Sequence, residues 1–279
     1  MKRITIFKYL IILFFLSSFF ACGQKEQRST ESYKVLTNHI QLQGEDNFRD
    51  LGGFVGQNGK RVLYRKLYRS GELVDLTNSD KNSLSNLGIE QIIDLRTKLK
   101  RQEAPDNIPN GIPNYHLPLL EYGNSKEYID QILSGQVDAR ELMLSVYREL
   151  DSLKITNWKN IFDLLEDNKV TLWHCSAGKD RAGMTTALVL SSLGVEENVI
   201  IKDYMTSNNF LSASNRNTST YLESKYGKQA AELMQPLIRV EYEYIEAFLN
   251  SIKKNYGSTE EFLAVLDVDI EKMQENYLE

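Results

Sequence analysis

The stretch that most constrains this chain is residues 170–183, VTLWHCSAGKDRAG. Val170 to Trp173 is a short apolar, partly β-branched run, the pattern of a buried strand. Ala182 to Leu193 is rich in Ala, Leu, Met and Val and is followed by Gly194 as a stop, which predicts a buried helix. Between them, Cys175 and Arg181 are separated by five residues, of which Ala177 and Gly178 are small. Such a loop can curl so that its N–H groups converge on an anion at the helix N-terminus. Strand, loop and helix together make an anion cradle with a thiol at its floor.

The cysteine count sharpens this reading. Only Cys22 and Cys175 occur in 279 residues. The chain begins with the basic MKR, continues with an apolar run from Tyr9 to Phe20, and reaches the small Ala21 before Cys22. These are the parts of an export signal, and the run is short for a membrane span. Cys22–Gly23 resembles the lipobox of bacterial lipoproteins, although Phe19 stands where that pattern usually has Leu. The resemblance implies lipidation of Cys22 and a membrane-anchored protein in the periplasm or at the cell surface. Residues 1–21 are then a signal peptide, and residues 22–32, polar and aperiodic, a lipid anchor and tether. With Cys22 acylated, Cys175 has no partner for a disulfide, and an unpaired thiol in an oxidising setting points to chemistry.

The formal net charge is −5, and Lys2, Arg3 and Lys8 lie in the export signal, leaving about −8 on the rest. Nucleic-acid binders are basic, so that class is disfavoured. Hydrophobic content of 42% and charged content of 25% fit a globular chain with room for a core. Strands are expected near 39–42, 61–63, 66–68, 89–95 and 114–119, with a tight turn in NFRDLGG at 47–53. Helices are expected at 77–87, 127–133, 138–150, 158–166, 196–205, 219–226, 229–237 and 240–256, with a short C-terminal pair. Residues 98–113, charged and Pro-containing, read as a surface excursion. This order, strands first and one strand feeding the central loop and helix, argues for a single α/β domain over residues 33–279.

Cysteine attacks as the thiolate. Inward N–H groups, the positive end of the following helix and Arg181 all favour the negative sulfur. Arg181 offers a planar fork for two phosphoryl oxygens and for the charge they carry during transfer. Ser176, Ala177, Gly178, Lys179, Ala182 and Gly183 complete the predicted substrate-binding loop. A departing alkoxide or phenoxide needs a proton, for which Asp180 is one candidate acid and Asp94, at a neighbouring strand end, the other. The alternative role of Asp180 is as a loop acceptor, and that of Asp94 is as a partner of Arg96. His174 is placed to fix the geometry of Cys175. Arg49, Arg69 and Arg239 are further cations that could surround the mouth.

HCSAGKDRAG resembles the His-Cys-x5-Arg signature of protein tyrosine phosphatases, and within them the bacterial group whose loop reads HCxAGKDRTG. NFRDLGG at 47–53, YRS at 68–70, DLR at 94–96 and YGS at 256–258 are similar to other segments of that group, so the resemblance spans about residues 40–265. It implies a phosphatase-like α/β domain, a central sheet flanked by helices, that uses no cofactor. It also implies a two-step reaction through a phosphocysteine at Cys175, with Arg181 as phosphate clamp and the loop aspartate as acid. Lys179 fits substrates with a neighbouring phosphate, so the expected partners are phosphorylated proteins or phosphoinositides. Where the family loop has a hydroxyl residue after the arginine, this chain has Ala182, which predicts slower release of phosphate from Cys175 unless Ser176 or a water substitutes.

Two other readings compete. Ala182 suits a catalytically weak module that binds phosphorylated ligands. A sulfur transferase also places a cysteine in a loop before a helix, but the spacing from Cys175 to Arg181 fits it less well. His39, His116 and His174 show no metal-ligand spacing, so no metal site is expected.

Overall fold

The computed structural model describes residues 38–121 and 126–279. The export signal, Cys22 and the tether lie outside these residues. Among the described residues six strands form one sheet: β1 (Asn38–His39), β2 (Arg49–Asp50), β3 (Leu67–Ser70), β4 (Gln91–Asp94), β5 (Asn114–His116) and β6 (Thr171–His174). Their order is β1-β2-β3-β6-β4-β5. β1, β2 and β3 are antiparallel neighbours, whereas β3, β6, β4 and β5 run parallel. The last strand in sequence therefore lies in the middle, and the loop that follows it opens between β3 and β4.

Thirteen helices surround the sheet among the described residues. The first five are α1 (Asn78–Asn86), α2 (Lys98–Glu103), α3 (Lys126–Leu133), α4 (Ala139–Arg148) and α5 (Ser152–Leu165). After β6 come α6 (Arg181–Ser192), α7 (Glu197–Phe210), α8 (Ser212–Tyr226), α9 (Lys228–Leu233) and α10 (Gln235–Ile238). α11 (Tyr242–Tyr256), α12 (Thr259–Val265) and α13 (Ile270–Tyr277) close the chain.

Alternation along the strands divides the core in two. Leu67, Ile93 and Trp173 point to the face carrying α6, where they join Met184, Leu188, Tyr244 and Phe248. Tyr68, Ile92 and Leu172 point to the other face with Leu73 and Leu84. Side chains one residue apart on a strand must take opposite faces, so the central strands are buried on both sides. α6 is buried almost all round, from Ala182 to Leu190. Its two threonines have partners: Trp158 Nε1 donates to Thr185 Oγ1 at 3.2 Å and Trp173 Nε1 to Thr186 Oγ1 at 3.1 Å. A third apolar cluster joins Ile132, Ala139, Leu222 and Met234, tying α3 and α4 to α8 and the short helices after it.

Several boundaries differ from the sequence reading. The expected strand at 61–63 is reduced to isolated bridges, Val55 with Arg61 and Val62 with Leu278. β1 lies at residues 38–39 rather than 39–42. α5 begins at Ser152 because Asp151 accepts from the Lys154 amide as its N-cap, six residues before the apolar run suggested. α1 begins as expected, on a capping box of Thr77 and Asp80. The excursion at 98–113 contains α2 and delivers a buried carboxylate, Asp106, to the site.

Candidate active site

Cys175 follows the end of β6 and is buried with a free thiol. The five residues after it do not form regular structure, and the physical question is where their backbone groups go. The carbonyls are held from outside the loop. Ser176 O accepts from the Glu72 amide at 2.9 Å, and Ala177 O from Asn47 Nδ2 at 3.0 Å. Gly178 O and Lys179 O both accept from Arg69 Nη2, at 2.7 and 3.2 Å. His174 Nδ1 lies 3.4 Å from Cys175 O; a carbonyl can only accept, so Nδ1 is the donor.

A planar peptide points its N–H opposite to its C=O. Fixing four successive carbonyls outward therefore turns the following amides to the loop interior. Consistent with this, the amides of residues 176–183 have no acceptor among the described residues, and the first helical bond is Met184 N to Asp180 O at 2.8 Å. These amides and the N-terminus of α6 form a positive concavity beside Cys175. Gly178 makes the turn possible. It sits at φ +69°, and a Cβ there would lie 2.4 Å from the Ser70 carbonyl carbon. At Gly183 a Cβ would meet the Tyr204 ring at 2.8 Å. Ala182 is buried, and Arg181, half-buried, donates from Nη2 to Ser176 Oγ at 3.2 Å. Among the described residues no carboxylate pairs with Arg181, so its charge is available to an anion in the concavity.

The donors behind the loop form a buried ionic layer. Arg49 Nε and Arg69 Nη1 each meet Asp203 of α7 at 2.9 Å, and both arginines are almost wholly buried. Burial lowers Arg69 to about 10, and the repulsion of Arg49 adds to this, while Asp203 and Cys175 oppose it. Asp203 itself is held below the usual carboxylate range: burial would raise it, but Arg49 and Arg69 outweigh that. Two cations share one carboxylate, leaving positive charge under the loop. Asn47 completes the layer by accepting from Arg49 Nη1 at 2.7 Å. Glu45 Oε1 accepts from the Asn47 and Gly71 amides at 2.9 and 2.6 Å, and burial pushes its carboxyl up to about 7. Arg49 and Arg69 are thus braces of the loop rather than cations at its mouth. Arg239 is exposed and contributes its carbonyl, which lies 3.4 Å from Lys179 Nζ.

The two candidate acids are placed differently. Asp94, at the end of β4, is fully buried and both its oxygens are taken by Arg96, Oδ1 from Nε at 2.9 Å and Oδ2 from Nη2 at 2.8 Å. This corrects its assignment as an acid: a carboxylate chelated by a buried guanidinium has no free oxygen to offer a leaving group. Arg96 Nη2 also reaches Asp106 Oδ1 at 2.8 Å, and His174 Nε2 lies 3.2 Å from Asp106 Oδ2. Burial would raise Asp106, yet His174, Arg96 and Asn114 together hold it at about 2. Asp94, Asp106 and His174 lie close enough to resemble a metal-ligand set, but Arg96 already supplies the cation between the two carboxylates.

Asp180 stands at the N-terminal end of α6 with a partly exposed carboxylate and makes no capping bond to its own helix. Lys179 Nζ meets it at 3.1 Å on Oδ1 and 2.9 Å on Oδ2. Tyr147 Oη, reaching in from α4, donates to Oδ1 at 2.7 Å, and Tyr204 Oη lies 2.7 Å from Tyr147 Oη. Lys179 is therefore buried and paired rather than solvated. The structure brings Cys175, Ser176, Ala177, Gly178, Lys179, Asp180, Arg181, Ala182 and Gly183 into one loop and helix turn, and keeps Asp94 apart in the arginine cluster. Sequence reasoning missed Glu45, Glu72, Asp106, Tyr147 and Asp203, which carry no motif of their own; Asn47 and Arg69 stood in noticed segments whose function the sequence could not assign.

Comparison with known proteins gives a consistent result. A family model described as the tyrosine phosphatase family matches residues 40–279. A Cupriavidus necator protein named as a tyrosine-protein phosphatase is 30% identical over 239 residues, covering 83% of this chain and 85% of its own. The triple specificity protein phosphatase PtpB of Mycobacterium tuberculosis is 27% identical, covering 78% of this chain and 90% of its own. Among solved structures, the core catalytic domain of the Saccharomyces cerevisiae PP-IP phosphatase SIW14 covers 66% of this chain and 95% of its own at 14% identity and a TM-score of 0.36. Pseudomonas aeruginosa TpbA covers 63% and 89% at 18% identity and a TM-score of 0.29. No shared activity follows from overlap at those scores.

Proposed function

The chain belongs to the tyrosine phosphatase family, and from that premise we propose that it hydrolyses phosphotyrosine through a phosphocysteine at Cys175, with phosphoserine, phosphothreonine or phosphoinositides as further substrates. The observation that carries the reading is the set of outward-anchored carbonyls, which turns the amides of the loop toward an anion beside the thiol. Arg181 adds a fork of charge.

In the first step the Cys175 thiolate attacks phosphorus, the S–P bond forms and the P–O bond to the leaving group breaks, while Asp180 gives its proton to the departing oxygen. In the second, water attacks phosphorus, the S–P bond breaks and Asp180 takes a proton back, releasing inorganic phosphate. Ala182 places no hydroxyl after Arg181, and the hydroxyl that the loop does contain, Ser176 Oγ, is engaged by Arg181 Nη2 at 3.2 Å. The second step is accordingly the slower one.

Breadth of substrate is supported by the triple specificity for which the Mycobacterium tuberculosis relative is named and by Lys179, a cation beside the acid. At the N-terminus, the MKR start, apolar run and Cys22 support export and lipid anchoring. Metabolic labelling with palmitate that is lost in Cys22→Ala supports the anchor, and equal labelling of both overturns it. The activity is tested by steady-state hydrolysis of p-nitrophenyl phosphate and of a phosphotyrosyl peptide. Turnover that disappears in Cys175→Ser supports the reading, and turnover that persists sinks it.

A further inference from the structure

The proton donor of the proposed reaction is gripped by a chain of two phenols that the loop motif does not contain. Tyr147 comes from α4 and Tyr204 from α7, and both side chains are essentially buried. Tyr147 Oη lies 2.7 Å from Asp180 Oδ1 and 2.7 Å from Tyr204 Oη. A phenol has one proton. Tyr147 donates its proton to Asp180, so the bond between the two phenols must run from Tyr204 to Tyr147. Burial, with the charge of Asp180, raises both phenols well above their ordinary range, so neither loses its proton near neutrality. The Tyr147 ring is itself fixed, stacked on Tyr244 at 5.6 Å between centroids and edge-on to Tyr204 at 6.3 Å.

A carboxylic acid has one oxygen that bears the proton and one that accepts. A donor fixed on Oδ1 makes Oδ1 the accepting oxygen. The proton then resides on Oδ2; Lys179 Nζ donates to Oδ1 at 3.1 Å and lies 2.9 Å from Oδ2. Lys179 Nζ also donates to the Arg239 carbonyl at 3.4 Å, so with Oδ1 it keeps two acceptors when Oδ2 carries the proton. We propose that Tyr147, backed by Tyr204, is a positioning residue for the acid step: it holds Oδ1 as acceptor and so presents Oδ2 as the atom that passes its proton to the leaving oxygen and takes one from the attacking water.

This inference rests on Asp180 being the acid, and a leaving-group series separates the two claims. Phenyl phosphate needs a proton on its departing oxygen far more than p-nitrophenyl phosphate does. Tyr147→Phe keeps the stacked ring and removes the donor. The expected result is a fall in kcat/KM on phenyl phosphate about ten-fold larger than the fall on p-nitrophenyl phosphate, a fraction of the full acid contribution; kcat/KM reports the step that expels the leaving group even where release of phosphate limits kcat. Asp180→Asn should show the same selectivity more strongly, and adding Tyr147→Phe to it should change the ratio no further. Equal falls on both substrates in Tyr147→Phe, with selectivity retained in Asp180→Asn, overturn the positioning role alone. Absence of selectivity in Asp180→Asn overturns the acid assignment and this inference with it. Should Tyr147→Phe not fold, Tyr204→Phe removes the second donor, and a selective loss of about three-fold is expected there; equal falls on the two substrates overturn the proposal.

Discussion

Two ionic clusters flank Cys175, and they are built to opposite ends. In one, Arg96 sits between Asp94 and Asp106, both of these carboxylates are nearly dry, and His174 closes the far side. In the other, Asp180 is partly exposed and its partners are a lysine, which is a compact charge on a flexible stem, and a phenol. Both hold an aspartate beside a cation. Only the second leaves the carboxylate within reach of something outside the protein. The difference teaches that the chemistry of such a residue is set by what remains unsatisfied around it, since a mutually chelated pair has nothing left to transfer.

The largest expected effect breaks the closed cluster. Arg96→Met strands two buried carboxylates and should lower stability by about 3–5 kcal/mol in denaturant unfolding. A loss below about 1 kcal/mol would mean the cluster is not structural. Next, Asp180→Asn should reduce kcat on a phosphotyrosyl peptide about 10²-fold or more. Asp94→Asn should instead lower unfolding stability, and a selective loss of phosphotyrosine turnover with unchanged stability would reverse the contrast. The smallest effect is on pH. Asp106 is depressed from 3.8 to about 2 in the fold, so its contribution is fully present above about pH 4 and is lost as pH falls through 2. At most about 2.5 kcal/mol is at stake. Asp106→Asn should flatten the acid limb of a stability profile, and an unchanged limb would contradict the assignment.

The sequence made the strand, loop and helix around Cys175 legible because local signals agree there: an apolar run, small residues, then a helix-forming stretch with Gly194 at φ +73° after its end. Asp180 and Arg181 could be named from spacing. The choice between Asp180 and Asp94 could not, since it depends on where Arg96 folds back. The outer shell of the loop was equally hidden. Asn47, Arg69 and Glu72 meet loop carbonyls more than a hundred residues away in the chain, and only the antiparallel β2–β3 pairing followed by the parallel β3–β6 pairing brings them there. Asp106 was concealed by its neighbours, charged and Pro-rich residues that read as surface. Tyr147 lies on an amphipathic helix, where an aromatic at a core position gives no sign that its hydroxyl reaches an acid.

If the outward-anchored loop holds phosphate for attack by Cys175, the phosphoryl group passes through a bond to that sulfur, and a covalent label can trap it there. A peptide carrying radioactive phosphate on tyrosine, mixed rapidly with the enzyme and quenched in acid, should leave label on the protein. A rapid burst of label on Cys175 is expected, accumulating because Ala182 lacks a hydroxyl, and none in Cys175→Ser. Release of phosphate with no label on Cys175, or label undiminished in Cys175→Ser, would contradict it.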